Sequence, residues 1–70
     1  MSFGDAAIEA LRQALALSPE NVLLRRHLAE VLAQAKRWNE AEAELQEAMR
    51  IDPADEETRL ALARVLRGYA

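Results

Sequence analysis

The chain has 70 residues, of which 51% are apolar and 30% are charged, with a net charge of −3. This length allows one domain at most, and the composition is that of a folded domain rather than a disordered chain. The acidic balance argues against nucleic-acid binding, and no apolar run approaches the length of a membrane span. The chain lacks cysteine and a basic-then-apolar leader at its start, so the expected location is cytoplasmic.

The two prolines, Pro19 and Pro53, lie 34 residues apart, a spacing typical of helical repeats. A shift of the chain by this interval superimposes identical residues that are mostly small or apolar. The identical pairs are Ala7/Ala41, Leu11/Leu45, Ala14/Ala48, Pro19/Pro53, Arg25/Arg59, Leu28/Leu62, Ala29/Ala63, Val31/Val65 and Leu32/Leu66. Because packing constrains small and apolar positions most strongly, these matches indicate a duplicated structural unit.

The first two predicted helices cover residues of about 5–17 and 20–35. Apolar residues recur three and four positions apart in both, as in a helix with one buried face. The predicted buried residues are Ala7, Ile8, Leu11, Ala14 and Leu15, then Leu24, Leu28, Ala29, Val31, Leu32 and Ala35. Ser18 is predicted to cap the second helix, and Pro19 to occupy its first turn.

The third and fourth predicted helices cover residues of about 38–51 and 54–67. The predicted buried residues are Trp38, Ala41, Leu45, Ala48 and Met49, then Leu62, Ala63, Val65 and Leu66. Asp52 is predicted to repeat the cap, and Gly68 to end the last helix. The predicted fold class is therefore all-α, with four antiparallel helices.

These residues resemble the tetratricopeptide repeat, whose pattern is W-x₂-L-G-x₂-Y…A-x₃-F…P over 34 residues. A full copy runs from Val22 to Asp55. Its slots are filled in order by Arg25, Leu28, Ala29, Leu32, Ala41, Leu45 and Pro53. The chain departs from the pattern at the three aromatic slots, which hold arginine and leucine. The resemblance implies a right-handed helical-repeat solenoid fragment, with one domain at 1–70: a half repeat 5–21, a full repeat 22–55 and a closing helix 56–70.

The resemblance also implies a scaffold module for protein–protein interaction, which binds a peptide or protein on the concave face made by the first helix of each repeat. Helical spacing assigns to this face Leu23, Arg26, Glu30, Glu57, Leu60, Arg64 and Arg67. Arginine and apolar anchors are favoured in interfaces, and the excess of arginine predicts a partner with acidic groups. An ordinary solvated helix face is the competing interpretation.

No catalytic residue, cofactor or metal site is predicted, and the chain is not expected to be an enzyme. His27 is the single histidine, and it is interpreted as a surface residue because no acid or nucleophile converges on it. Glu40, Glu42, Glu44 and Glu47 are interpreted as a solvated outer face, since this spacing diverges around a helix and a divalent cation needs converging oxygens.

Two alternatives to partner binding stay open. The first is self-assembly, as a homodimer or as a domain-swapped module of a larger protein, because repeat arrays usually need about three repeats for stability. The apolar ends assigned to it are Ile8, Leu15 and Leu17 at one side and Leu60, Leu62 and Tyr69 at the other. The second, an enzyme subunit, ranks lowest because no convergent acid, base and nucleophile are present.

Overall fold

The computed structural model describes residues 3–68, which form four α-helices joined by short turns. Their bounds are α1 Phe3–Leu17, α2 Val22–Gln34, α3 Trp38–Ile51 and α4 Glu56–Gly68. Consecutive helices pack against one another, and α2 also contacts α4. The predicted all-α fold, a helical-repeat fragment, is confirmed. Within the described residues, no helix is both long enough and apolar enough to cross a membrane.

The two prolines lie in β-turns that precede α2 and α4, and not in the first turns of these helices. The amide of Asn21 donates to the carbonyl of Ser18 at 3.1 Å, and the amide of Asp55 donates to that of Asp52 at 3.2 Å. Each proline therefore occupies the second position of a four-residue turn, where its fixed φ is favourable. As a result, both helices begin two residues later than predicted.

The residues that cap α2 and α4 also differ from the prediction. Asn21 Oδ1 accepts from the amide of Leu24 at 3.0 Å, and Asp55 Oδ1 accepts from the amide of Glu57 at 3.2 Å. The assignment of the caps to Ser18 and Asp52 is therefore wrong, because each lies at the start of the turn, three residues before the true cap.

The turn between α2 and α3 is closed by a left-handed residue, Lys36, whose φ is 61°. The amide of Lys36 donates to the carbonyl of Ala33 and that of Arg37 to the carbonyl of Leu32, both at 2.9 Å. This is the Schellman arrangement, which satisfies the last carbonyls of a helix and is usually built with glycine. Ala35, predicted to be buried, is the exposed C-cap residue.

The core lies along α2 and α3 and extends to both outer helices. Its buried apolar residues are Ile8, Leu15, Leu28, Ala29, Leu32, Ala41, Leu45, Ala48, Ala61 and Val65. The first and last helices contribute less because each is covered on fewer sides: Ala7, Leu11 and Ala14 of α1 are only half-buried.

The buried face of α4 was predicted incorrectly in part. Val65 is buried, but Leu62 is half-buried, and Ala63 and Leu66 are exposed. The residues that α4 buries are Thr58, Ala61 and Val65. The corresponding positions of α2, Leu28, Ala29 and Leu32, are buried because α3 packs on them. No described helix follows α4 to cover its equivalent positions. The helix α4 instead buries the neighbouring stripe of Thr58, Ala61 and Val65.

Candidate functional site

The helices α2 and α4 border an open cleft of about 360 Å³ on the face that the repeat pattern assigns to partner binding. It is lined by Ala29, Glu30, Ala33, Gln34, Leu45, Ala61, Arg64 and Val65. Each helix contributes residues three and four positions apart, so the cleft runs along the two helices rather than across one.

The floor of the cleft is apolar and made largely of small side chains. Ala29, Leu45, Ala61 and Val65 belong to the buried core, and Ala33 is half-buried. The floor keeps a recess open between the two helices because alanine is short. Such a recess can accept an apolar side chain of a partner, since concave sites bind mainly through apolar lining and a few fixed polar groups.

The rim of the cleft carries opposite charges. Glu30 on α2 and Arg64 on α4 are both exposed, and Gln34 adds an exposed amide. Over residues 3–68 neither charged side chain forms an ion pair. Both charges are therefore open to a ligand at the edge of an apolar recess.

Arg26 of the predicted face is committed to a contact within the chain. Its Nη1 lies 3.0 Å from Asp55 Oδ2, and both side chains are half-buried. The same oxygen accepts from Thr58 Oγ1 at 2.7 Å, and Thr58 is fully buried. Asp55 therefore links α2 to the start of α4 and satisfies the buried hydroxyl of Thr58.

The carboxyl group of Asp55 is held in its ionised form. The hydrogen bond from Thr58 is the largest effect and lowers the pKa of Asp55. Desolvation comes next and opposes it, and the bond from the amide of Glu57 and the charge of Arg26 add to the lowering. Hydrogen bonds to a carboxylate stabilise its charged form. The cluster thus links α2 to the start of α4 beside the cleft.

The other four residues of the predicted face lie outside the lining of the cleft. Leu23 and Leu60 are large apolar side chains with exposed fractions of 63% and 49%, and Glu57 and Arg67 are exposed. Of the seven predicted residues, the cleft brings together Glu30 and Arg64. The prediction assigned Ala29 and Leu45 to the core and did not include Ala61, so it did not identify the floor of the cleft as a whole, although the i, i+4 pair Ala29 and Ala33 in α2 carries a signal for it.

Arg25 occupies the first slot of the repeat pattern and makes hydrogen bonds there in place of the contacts of an aromatic residue. Its Nε and Nη2 donate to the carbonyl of Pro19 at 3.1 and 2.8 Å, and its Nη1 donates to Glu44 Oε1 at 2.8 Å. Arg59 repeats the first contact, with its Nη2 donating to the carbonyl of Pro53 at 3.0 Å. The guanidinium thus ties each turn to the helix that follows it.

Glu40, Glu44 and Glu47 of α3 each contact an arginine. Glu40 bonds to Arg37, and Glu47 bonds to Arg50, and these hydrogen bonds lower the pKa of both carboxyl groups. Glu44 lies between two arginines, Arg25 and Arg12, at 2.8 and 3.6 Å. His27 is exposed. Among the described residues, no group of three or more histidine, aspartate or glutamate side chains could hold a metal ion.

Comparison with known proteins identifies one family. The family model described as Tetratricopeptide repeat matches residues 4–65, which is most of the chain and includes α2, α3 and most of α1 and α4. No curated protein and no solved structure matches the chain significantly.

Proposed function

The chain belongs to the tetratricopeptide repeat family, whose repeats generally mediate protein–protein interaction, and we propose that it is a scaffold module that binds a peptide or protein in the cleft between α2 and α4. The proposal treats the chain as one domain with a half repeat 5–21, a full repeat 22–55 and a closing helix 56–70. The family is typically non-catalytic, and the proposed role requires no cofactor.

The observation that carries the proposal is the combination of an apolar floor with unpaired charges at its rim. A solvated helix face needs neither a recess nor buried small residues beneath it. Here the short side chains of Ala29 and Ala61 leave a recess between the two helices, while Glu30 and Arg64 offer charged groups at its rim. Apolar anchors next to charged groups are the usual composition of an interaction surface.

The proposed partner carries acidic groups, and the arginines that would contact them are Arg64 and Arg67. Both are exposed, and neither forms an ion pair within the part of the chain that the structure describes. Arg26 contributes less, because Asp55 already balances its charge at 3.0 Å. An acidic residue on the partner would therefore be attracted more strongly to the two arginines of α4 than to Arg26 of α2.

A peptide library displayed on phage supplies the probe for a test. Selected peptides are titrated by fluorescence anisotropy against the unmodified chain and against Arg64→Glu and Ala33→Arg. Both substitutions should weaken binding by at least about tenfold, the first by reversing the rim charge and the second by filling the recess. The control is Arg50→Glu on α3, an exposed arginine outside the cleft; because this change also breaks the contact of Arg50 with Glu47, a thermal melt verifies that the control variant is folded. Equal affinities for all four proteins would refute the cleft as the binding site.

A further inference from the structure

A partly exposed apolar stripe runs along α4. It consists of Leu62, Ala63 and Leu66, flanked by Arg59. The four residues are identical to Leu28, Ala29, Leu32 and Arg25 of α2, one repeat earlier. In α2 the three apolar residues are at most 1% exposed because α3 packs nearby, whereas on α4 Leu66 is 46% exposed.

A second open stripe, the complement of the first, lies on α1. It consists of Ala7, Leu11 and Ala14, which are half-buried. These residues are identical to Ala41, Leu45 and Ala48 of α3, each of which is fully buried. The stripe is not the end predicted from sequence: Ile8 and Leu15 are buried in the core with α2 residues and are unavailable, and Tyr69 lies outside the described residues.

We propose that α1 of a second copy of this chain packs on the α4 stripe of the first and reproduces the α2–α3 interface between molecules. Each of the six small and apolar positions is filled by the same residue as in the interface within the chain. The helices α2 and α3 pack over this surface, and Leu28, Ala29, Leu32, Ala41 and Leu45 share one core cluster. The sequence therefore contains, on α4 and α1, both halves of the interface that α2 and α3 form within the chain.

The contacts of Arg59 support the same alignment of the α1 stripe on the α4 stripe. Arg59 is held by the carbonyl of Pro53 as Arg25 is held by that of Pro19. Arg25 also bonds to Glu44 of α3, and the repeat-related residue of α1 is Ala10. The association between copies lacks this ion pair and is therefore weaker than the packing of α2 on α3.

The interface is heterologous, because it joins two different stripes of the chain. Each added copy leaves one α1 stripe and one α4 stripe open, so the assembly extends with concentration instead of stopping at a symmetric dimer. Growth of the assembly with concentration therefore distinguishes the proposed association from the isologous or domain-swapped homodimer that the sequence alone also allows.

Sedimentation equilibrium of the 70-residue chain, up to millimolar concentration, tests the proposal. Leu66→Asp blocks the α4 stripe and Ala14→Arg blocks the α1 stripe, and each should weaken self-association by at least about tenfold. A mixture of the two variants should form a one-to-one complex, because one retains its α1 stripe and the other its α4 stripe. The comparison variant is Leu60→Asp, whose leucine is 49% exposed and lies outside the α4 stripe. It should associate as the unmodified chain does, whereas it would lose association if the end predicted from sequence formed the contact.

A gain of association provides the second arm. Ala10 is exposed, so Ala10→Glu is tolerated by the fold. It offers Arg59 a carboxylate from the neighbouring helix, as Glu44 does for Arg25, in addition to the weak contact of Arg59 with Glu56 at 3.6 Å within α4. Association should tighten by about two- to fivefold, and Arg59→Ala in the same chain should remove the gain. Three results would each overturn the proposal. The first is a strict monomer at all concentrations, and the second is a symmetric dimer whose association is not restored when Leu66→Asp and Ala14→Arg are mixed. The third is an effect of Ala10→Glu that does not depend on Arg59.

Discussion

Leu32 and Leu66 occupy the same position of the repeat but differ in their surroundings. Leu32 is fully buried, whereas 46% of Leu66 is exposed. Truncation to alanine removes the same atoms at both sites. The difference between the two losses of unfolding free energy therefore measures what a covering helix contributes, with residue type held constant.

We expect Leu32→Ala to lower the free energy of unfolding by about 2–5 kcal/mol, as for a leucine removed from a closed core. A chain of 70 residues has about 3.5–10 kcal/mol of stability in total at the usual value per residue. The loss caused by Leu32→Ala is thus a large fraction of the total free energy of unfolding. Leu66→Ala should cost only about 1 kcal/mol, because roughly half of the side chain already contacts water and no enclosed cavity is left.

Urea unfolding, monitored by circular dichroism and by the fluorescence of Trp38, gives both values. The titrations should be repeated at several protein concentrations, because Leu66 also lies in the proposed interface between copies. In the dilute limit, equal losses for Leu32→Ala and Leu66→Ala would refute the conclusion that the α4 stripe is partly exposed. A larger loss for Leu66→Ala would contradict the described packing of α4 altogether.

Three further predictions concern the turns and the end of α4. A β-carbon at Gly68 would lie 2.6 Å from Cζ3 of Trp38, so Gly68→Ala should displace the indole, shift its emission and lower stability by about 1 kcal/mol in thermal melts; an unchanged spectrum would contradict this contact. Lys36→Gly should raise stability by about 0.5–1 kcal/mol, because glycine adopts positive φ without strain, and a loss in urea titrations would oppose it. The pKa of Asp55 is lowered on folding, so its contribution is complete above about pH 4 and is lost as the pH falls through the folded value. In acid titrations Asp55→Asn should reduce this pH dependence, and a slope equal to that of the unmodified chain would argue against the cluster.

The helices and their packing order could be predicted because the 34-residue repeat marks them twice. Positions such as Leu28 and Leu45 recur at helical spacing, and their burial follows from that pattern alone. The start of each helix could not be predicted from Pro19 and Pro53, because proline suits both a first helical turn and the second position of a β-turn. Only the hydrogen bonds of Asn21 and Asp55 show that each proline lies in a β-turn and not in a first helical turn.

The site was harder to predict than the fold. Helical spacing placed Glu30 and Arg64 on one predicted face, because it fixes which residues share a stripe, and both line the cleft; that a partner binds there stays a prediction. It could not show that Arg26 is bonded to Asp55, since that contact joins residues 29 positions apart across different helices. Nor could spacing reveal that Leu66 is open, because identical residues are covered or exposed according to which helices flank them.

The proposed binding and the proposed self-association use different sides of α4. Arg64 and Leu66 are two residues apart, which separates their directions by about 200° around a helix with 3.6 residues per turn. A second copy docked on Leu62 and Leu66 would therefore leave the cleft between α2 and α4 open. Because each copy carries the same cleft, stacking of copies would align several such clefts along one array. Binding of a multivalent partner and association of the chain would then favour each other, since linked sites raise the effective concentration of the second contact.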